Sequence, residues 1–177
     1  MPLNIRLATR ADEPDIQHVI RTVYEEYGWP WCPEDYHRDL YDIDAGYFNK
    51  GGFFWVGELD GAVVGTTALE VFSKFPQASE SDPITIVDGA KRGAGCDCSI
   101  ERLYLLKEAR GKGIGKQLLN FTIEFAKSLG RNRMEIWSDK KLTDAHKLYE
   151  RLGAIHIGDR LCHDPDQSPE WGMIVNL

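Results

Sequence analysis

A basic, glycine-rich turn carries the residues of this chain that are best suited to chemistry. Leu103 to Leu106 is apolar enough to form a strand, and Gly111, Gly113 and Gly115 alternate in the turn that follows. Glycine permits backbone conformations that are closed to other residues, and it lets a ligand approach the main chain. The free amides and the dipole at the start of a following helix favour negative charge. Four cations surround the turn and predict a site for a phosphorylated ligand: Lys107, Arg110, Lys112 and Lys116.

The residues after the turn predict the helix that such a site requires. Apolar residues recur at the spacing of one helical face from Ile114 to Leu129, and Gly130 supplies a stop signal. The turn itself, RGKGIGKQ at residues 110–117, matches neither the dinucleotide fingerprint G-x-G-x-x-G nor the P-loop G-x-x-x-x-G-K-[ST] in its usual context. The phosphorylated ligand is therefore expected to be of another kind.

The turn resembles the acyl-CoA pyrophosphate loop of the Gcn5-related N-acetyltransferase (GNAT) superfamily, whose pattern is [Q/R]-x-x-G-x-[G/A]. Arg110, Gly113 and Gly115 match this pattern in order. A second segment, AHKLYERLGA at residues 145–154, resembles the family's A-x-x-L-Y-E-x-x-G-F/A ending, in which the tyrosine faces the thioester. The specific resemblance covers the second half of the chain, where strands and helices also follow the family's order.

The resemblance implies a fold, a reaction and a cofactor. The implied fold is α/β (α+β), with a mixed, mostly antiparallel sheet of about seven strands, about four flanking helices and a splay between strands 4 and 5. The implied reaction is acetyl transfer from acetyl-CoA, the co-substrate, to a primary amine by direct attack in a ternary complex. The implied cofactor-binding residues are the main chain of Leu103, Tyr104 and Leu105, the amides of Arg110, Gly111, Lys112, Gly113, Ile114 and Gly115, and the side chain of Lys116.

The resemblance also implies the catalytic residues. Tyr149 matches the tyrosine of the ending motif. A phenol with a pKa of about 10 is protonated at neutral pH and can donate a proton to a thiolate leaving group. Family members place the carboxylate base at differing points on the strand before the turn. Glu101 is the expected base, with Asp97 or a water-mediated route as alternatives; Ser99 occupies one commonly used position. If this strand is regular, all three share a face with Leu103.

The cysteines and histidines predict neither a metal site nor a catalytic role. Cys96-Asp97-Cys98 with Cys162-His163 lacks the C-x-x-C spacing of structural zinc sites, so no metal is expected. His146 lies off the apolar face of its predicted helix and is expected to be solvated, while His156 alternates within a predicted strand. The four cysteines, which also include Cys32, are expected to be free thiols in a reducing compartment.

The bulk composition fits one globular domain over residues 1–177. The chain is 42% hydrophobic and 28% charged, and its N-terminal residues MPLNIRLATRADEPD lack the apolar core of a signal peptide. No run approaches transmembrane length, so a cytoplasmic protein is expected. The net charge of −7, from 21 basic and 28 acidic residues, argues against nucleic-acid binding.

The first half of the chain is predicted from local patterns. A strand at residues 3–7 precedes a helix that Thr9 or Asp12 caps, and a second helix is expected near residues 34–44. Two apolar runs around Asp60-Gly61 predict a hairpin over residues 53–71. Residues 72–95 are interpreted as a long excursion that contains one short β-like run, at residues 84–87.

The segment after the first helix predicts the class of acceptor. Trp29, Trp31 and Tyr36 lie amid an acidic run between Glu25 and Asp44. Aromatic faces beside carboxylates attract a cation, so a small cationic amine is expected, although these acids also suit a solvated helix face. Two other functions stay open: a non-catalytic acyl-CoA-binding sensor or scaffold, and a binder of another phosphorylated nucleotide. A homodimer is also left open.

Overall fold

The computed structural model describes residues 2–79 and 81–177, and it divides into two compact units. The first unit consists of the described residues up to Glu70 together with residues 101–124, and the second consists of the described residues of 71–100 together with residues 125–177. Within this described part of the chain, no helix is long and apolar enough to cross a membrane.

The first unit contains the N-terminal strands and the helix that follows the glycine turn. Its strands are β1 (Asn4–Leu7), β2 (Phe53–Leu59), β3 (Ala62–Val71, whose last residue belongs to the second unit) and the second half of β6 (Cys98–Leu105). Its helices are α1 (Glu13–Tyr27), α2 (Ile43–Gly46) and most of α3 (Ile114–Ser128). Ile16, Val19 and Ile20 of α1 are fully buried, and their spacing places them on one helical face.

The second unit contains the C-terminal half of the sheet and a separate hairpin. Its elements are β4 (Ile84–Val87), β5 (Ala90–Gly93), the first three residues of β6, β7 (Arg133–Asp139), α4 (Thr143–Arg151), β8 (Ile155–Leu161) and β9 (Pro169–Asn176). The strand order is β1-β2-β3-β6 in the first unit and β6-β7-β9-β8 in the second, so that seven strands form one sheet through β6. The implied mixed, mostly antiparallel architecture is confirmed.

The predicted hairpin of the first unit is confirmed. β2 and β3 pair antiparallel, and the turn residues Asp60 and Gly61 both have positive φ, of 53° and 81°. Two consecutive residues with positive φ are the mark of a tight hairpin turn whose twist matches that of the strands, which explains the Asp-Gly pair.

The helix predicted near residues 34–44 is wrong in its form. The chain instead makes a 3₁₀ turn at Arg38–Tyr41, the single-turn helix α2 and a second 3₁₀ turn at Phe48–Lys50. Asp42 interrupts a continuous helix because its backbone is extended, with φ −159°, while its carboxylate accepts a hydrogen bond from the amide of Ala45. An N-cap residue of this kind begins a new helix rather than continuing an earlier one.

Residues 72–95 form more structure than the sequence interpretation expected, although Glu80 lies outside the described residues. β4 and β5 make a second antiparallel hairpin around Asp88 and Gly89, whose φ values are 50° and 81°. The fully buried carboxylate of Glu135 in β7 holds this hairpin by accepting bonds from Arg92 at 2.8 Å and from the amide of Gly93 at 2.6 Å. The Asp88-Gly89 pair is the sequence signal for this hairpin.

The parallel pairing of β6 with β7 covers only the beginning of β6. Cys98 pairs with Met134 and Ser99 with Glu135, whereas β6 continues to Leu105. Asp97, which precedes β6, fixes this start because its carboxylate accepts the backbone N–H groups of Asn132 at 2.9 Å and Arg133 at 3.2 Å.

Replacing Asp97 with Ala should destabilise the protein, because Asp97 is only 3% exposed and two backbone donors would lose their acceptor. Hydrogen bonds to charged groups contribute about 1.5–3 kcal/mol, so the free energy of unfolding in urea should fall by about 2–3 kcal/mol. Asp97→Asn keeps one side-chain acceptor and should lose less. An Ala variant as stable as the wild type would contradict this role.

Candidate functional site

The glycine turn joins β6 to α3 and leaves open space beside its backbone. Lys107–Ala109 forms a 3₁₀ turn, and α3 begins at Ile114. Gly111 and Gly113 have φ values of 75° and 76°, and a Cβ added at either would meet no atom within 4 Å. The first N–H groups of a helix have no intrahelical acceptor and carry the positive end of its dipole. A backbone left open beside the start of a helix can bind an anion, so the turn is a candidate anion site.

Packing on the other side supports the turn. Ala109 and Ile114 are buried in one apolar cluster with Val64, and Leu103 and Leu105 of β6 pack against the same cluster. The predicted strand residues and the predicted loop residues therefore share a core within the first unit. Because this core fixes the strand end and the helix start together, the exposed backbone between them is held in place.

The charges around the turn differ from the sequence expectation. Lys107, Lys112 and Lys116 are exposed. The guanidinium of Arg110, however, donates two bonds to Glu26 of α1, at 2.8 and 2.7 Å, and one to the carbonyl of Leu105 at 3.1 Å. The hydrogen bond from Arg110 is the main reason that the pKa of Glu26 is lowered. Arg110 thus anchors the turn to α1 and to the end of β6, while the lysines supply the exposed positive charge.

β6 is not a regular strand at the predicted base. Arg102 has a φ of +49°, a left-handed conformation that is rare for a residue other than glycine. The carbonyl of Arg102 accepts a bond from the hydroxyl of Thr66 at 2.7 Å, and its guanidinium pairs with Asp39. The regular alternation of side chains is therefore interrupted at Arg102, so it does not place Ser99, Glu101 and Leu103 on one face.

The candidate base and its alternatives lie in different surroundings. Glu101 is half-buried in the first unit, and its charge helps to raise the pKa of Tyr47, after burial and the charge of Asp39. Asp97 is buried and holds two backbone amides, and Ser99 is fully buried. Of these three residues, Glu101 has the accessibility that a base needs.

The candidate acid belongs to the second unit. Tyr149 lies on α4 and is 4% exposed. The expectation that His146 is solvated is wrong: it is 8% exposed, and its Nε2 lies 3.2 Å from the hydroxyl of Ser138, whose side chain β7 presents to α4. Burial lowers the pKa of His146, so its ring is neutral near pH 7. The structure thus brings Glu101 together with the cofactor residues in one unit and places Tyr149 in the other.

The cysteines have the form expected of structural thiols. All four are free, and burial raises the pKa of Cys96 to about 12 and that of Cys98 further. Within residues 2–79 and 81–177, no group of three or more His, Cys, Asp or Glu residues is arranged to hold a metal ion.

In this chain, β6 pairs in parallel with β7 at Cys98 and Ser99, and β6 leads through the glycine turn to α3. The family model described as "Acetyltransferase (GNAT) family" matches residues 16–154. A protein of Escherichia coli (strain K12) named uncharacterized N-acetyltransferase YjgM is 32% identical over 158 residues, covering 86% of this chain and 82% of that protein. This chain belongs to the acetyltransferase (GNAT) family, and it is an acetyltransferase whose co-substrate is acetyl-CoA.

One further relative matches over part of its length, and one solved structure matches in fold. N-acetylaspartate synthetase of Danio rerio is 32% identical over 124 residues, which cover 70% of this chain but only 37% of that protein. The solved structure of yncA from Salmonella typhimurium with its cofactor acetyl-CoA has a TM-score of 0.70 and 19% identity, covering 100% of this chain and 95% of that one. The second likeness concerns the fold.

Replacing Gly113 with Val should weaken CoA binding at least about tenfold, because a branched side chain would fill the open space beside the turn and oppose the left-handed backbone. Isothermal titration calorimetry measures the effect. Gly130→Val is the matched control, since Gly130 also has a positive φ, of 72°, and open surroundings at the other end of α3. The control should lose stability to a similar extent but keep its CoA affinity. Equal affinities in both variants would contradict the loop assignment.

Proposed function

We propose that this single acetyltransferase domain acts in the cytoplasm and transfers acetyl from acetyl-CoA to a small cationic primary amine. The observation that carries the proposal is the turn before α3, where Gly111 and Gly113 leave the backbone open at a helix N-terminus. This receptor suits the pyrophosphate, the most highly charged part of the CoA molecule near its reactive arm. The exposed Lys112 and Lys116 add charge of the required sign.

The strand before the turn is proposed to hold the reactive arm. The main chain of Leu103, Tyr104 and Leu105 belongs to the part of β6 beyond its described pairing with β7. An extended ligand can bind along a strand through main-chain hydrogen bonds, as an added strand would. The amides of residues 110–115 then receive the phosphates, and bound acetyl-CoA supplies the activated thioester.

Two proton transfers are assigned to side chains. Glu101 is proposed to accept the proton of the attacking amine, directly or through water, because an ammonium group has no lone pair with which to attack. Tyr149 is proposed to donate a proton to the departing thiolate, since a phenol is protonated at neutral pH. Direct attack is favoured because the raised pKa values of Cys96 and Cys98 make these thiols poor nucleophiles.

The cationic acceptor is proposed from the aromatic and acidic segment after α1. The rings of Trp31 and His37 stack at 4.0 Å, and the Trp31 indole donates to the hydroxyl of Tyr41 at 3.2 Å. Several acids of this segment are paired with arginines from elsewhere in the first unit, whereas Glu34 and Asp35 are exposed. These two carboxylates beside aromatic faces support a cationic substrate.

An acidic amino acid is the second candidate acceptor. The observation that favours it is the likeness to N-acetylaspartate synthetase, whose name states an acetylated acidic amino acid as its product. The pairing of Asp39, Asp44 and Glu26 with arginines also reduces the negative charge that an anionic acceptor would meet. A panel of cationic amines and acidic amino acids, assayed by release of free CoA thiol, distinguishes the two candidates.

Tyr149→Phe should keep the packing of the ring and remove only the proton donor. General acids contribute about 10²–10⁴-fold, so kcat should fall within that range while acetyl-CoA affinity stays within about threefold. Tyr27→Phe is the control, because it removes a tyrosine hydroxyl from α1 of the first unit without touching α4. Wild-type turnover in Tyr149→Phe would show that this tyrosine serves only packing.

Neutralising both exposed acids, in the double variant Glu34→Gln/Asp35→Asn, should raise KM for a cationic amine by about threefold to tenfold, and added salt should raise KM in the wild type. Exposed charges are screened over about 10 Å at 0.1 M salt. The double variant Asp15→Asn/Asp144→Asn makes the same change in net charge at other exposed positions and should leave KM unchanged. A higher kcat/KM for aspartate than for every cationic amine would replace this proposal with the second candidate.

A further inference from the structure

The basic turn is tied to the end of α1 by an ion pair. Arg110 donates two bonds to the carboxylate of Glu26, from Nη1 to Oε1 at 2.8 Å and from Nη2 to Oε2 at 2.7 Å. Two parallel bonds of this kind fix the orientation of a guanidinium as well as its position. The Nε of Arg110 donates to the carbonyl of Leu105, the last residue of β6, at 3.1 Å. One side chain therefore connects α1, β6 and the turn, all within the first unit.

The carboxylate of Glu26 is presented from a well-supported helix end. Glu26 lies in the last turn of α1, close to Tyr24, which is 5% exposed. Gly28 ends the helix with a φ of 69°, and the amide of Trp29 donates to the carbonyl of Tyr24 at 2.9 Å. A left-handed glycine and a bond back to the last turn are the usual means by which a helix end is closed. The partner of Arg110 is therefore held in place by the core of the first unit.

Arg110 is the residue at which the open backbone of the turn begins. It follows the 3₁₀ turn Lys107–Ala109, its backbone is extended with φ −71° and ψ 161°, and its amide donates to the carbonyl of Lys107 at 3.2 Å. The next residue, Gly111, has a positive φ and open surroundings. The position of the open amides therefore depends on how Arg110 is held.

The location of Glu26 opposes the local preference of a helix. The C-terminal end of a helix carries the negative end of its dipole and favours cations, yet the last turn of α1, which the structure describes in full, contains no basic residue. A local preference is expected to be violated where a distant contact or a function compensates for it. The side chains of Arg110 and Glu26 are 34% and 29% exposed. Because ion pairs this accessible stabilise a fold only weakly, the position in which the pair holds the turn is its more important effect.

We propose that Glu26 is a positioning residue for the cofactor: through Arg110 it holds the start of the turn, so that the backbone amides of residues 111–115 are in place before the pyrophosphate of acetyl-CoA binds. This inference rests on the proposed placement of the pyrophosphate at this turn. A site that is ordered in advance avoids the entropy cost of ordering it on binding. Glu26 acts only through Arg110, so changes at these two residues are not additive.

The test compares Glu26→Gln with the wild type in the full chain, by calorimetric titration with CoA. The amide keeps the size of the side chain but loses the charge, so the bidentate pair is weakened and the turn must be ordered on binding. We expect the Kd for CoA to rise by about threefold to tenfold, the cost of ordering one long side chain. Glu25→Gln is the matched control, because Glu25 is the adjacent residue, carries the same charge and pairs with Arg21 of the same helix at 3.1 Å. The control keeps the wild-type affinity.

A double-mutant cycle measures whether Glu26 acts through Arg110. Arg110→Lys keeps the positive charge beside the turn but loses the fork that binds Glu26 and the Leu105 carbonyl together, so CoA binding weakens. Glu26→Gln/Arg110→Lys binds CoA no more weakly than the weaker single variant, because both changes break the same pair. Losses that multiply in the double variant overturn the inference, as does wild-type affinity in Glu26→Gln. Tighter binding in Glu26→Gln also overturns it, because the pair would then only withhold positive charge from the phosphates.

Acetylpantetheine, a thioester that lacks the pyrophosphate and the nucleotide, separates positioning from support of the fold. With the best amine of the panel, Glu26→Gln lowers kcat/KM for acetyl-CoA and leaves kcat/KM for acetylpantetheine unchanged, because only acetyl-CoA carries the group that the turn binds. Equal losses with both thioesters would show that Glu26 supports the fold, and would overturn the inference.

Gly113→Val, titrated in parallel, distinguishes failure of the proposed turn from failure of the role of Glu26. Unchanged CoA affinity in Gly113→Val overturns the placement of the pyrophosphate, and with it the reason for the role of Glu26. Weaker binding in Gly113→Val together with wild-type affinity in Glu26→Gln overturns the positioning role alone. Losses in both, with no further loss in the double variant, support both.

Discussion

The ion pair between Arg102 and Asp39 is the interaction on which the candidate site most depends. It holds a non-glycine residue in a left-handed conformation in the middle of β6, and Thr66 fixes the carbonyl of the same residue. Loss of one partner of a buried pair typically costs about 3–5 kcal/mol, because the other charge is left unbalanced. Glu101 precedes Arg102 in β6, and the strand residues that lead to the turn follow it. The conformation at Arg102 therefore sets the direction of both.

The turn before α3 depends on a second constraint: one of its sides is packed against the core, and the other is open. One side is packed, since Ala109 and Ile114 share a core with the end of β6, and Arg110 binds both Glu26 and the Leu105 carbonyl. The other side is open at Gly111 and Gly113. A rigid support beneath an exposed backbone lets the amides receive phosphate oxygens without first being ordered.

Local patterns were sufficient for the elements whose signals lie within a few residues. The Asp60-Gly61 hairpin, the buried stripe of α1 and the strand, turn and helix around Gly113 were all predicted in this way. The β4–β5 hairpin carries the same kind of signal at Asp88-Gly89 and was predictable, but it was interpreted as an irregular excursion.

Pairs that join distant parts of the chain were not predictable. The run of acids between Glu25 and Asp44 looked unbalanced because its arginine partners, Arg102 and Arg110, lie more than one element away in sequence. The burial of His146 against Ser138 depends on how α4 meets β7. The positive φ of Arg102 has no local sequence signal, because it is imposed by contacts with other elements rather than by residue preference.

A crystal structure of the chain with bound acetyl-CoA is the most direct test of the central claim, that β6 and the turn together form the cofactor site. The account predicts pyrophosphate oxygens within about 3 Å of the backbone amides of residues 111–115, a length typical of hydrogen bonds, with the pantetheine arm beside residues 103–105 and the Arg102–Asp39 pair intact. Acetyl-CoA bound elsewhere, with these amides facing solvent, would contradict it.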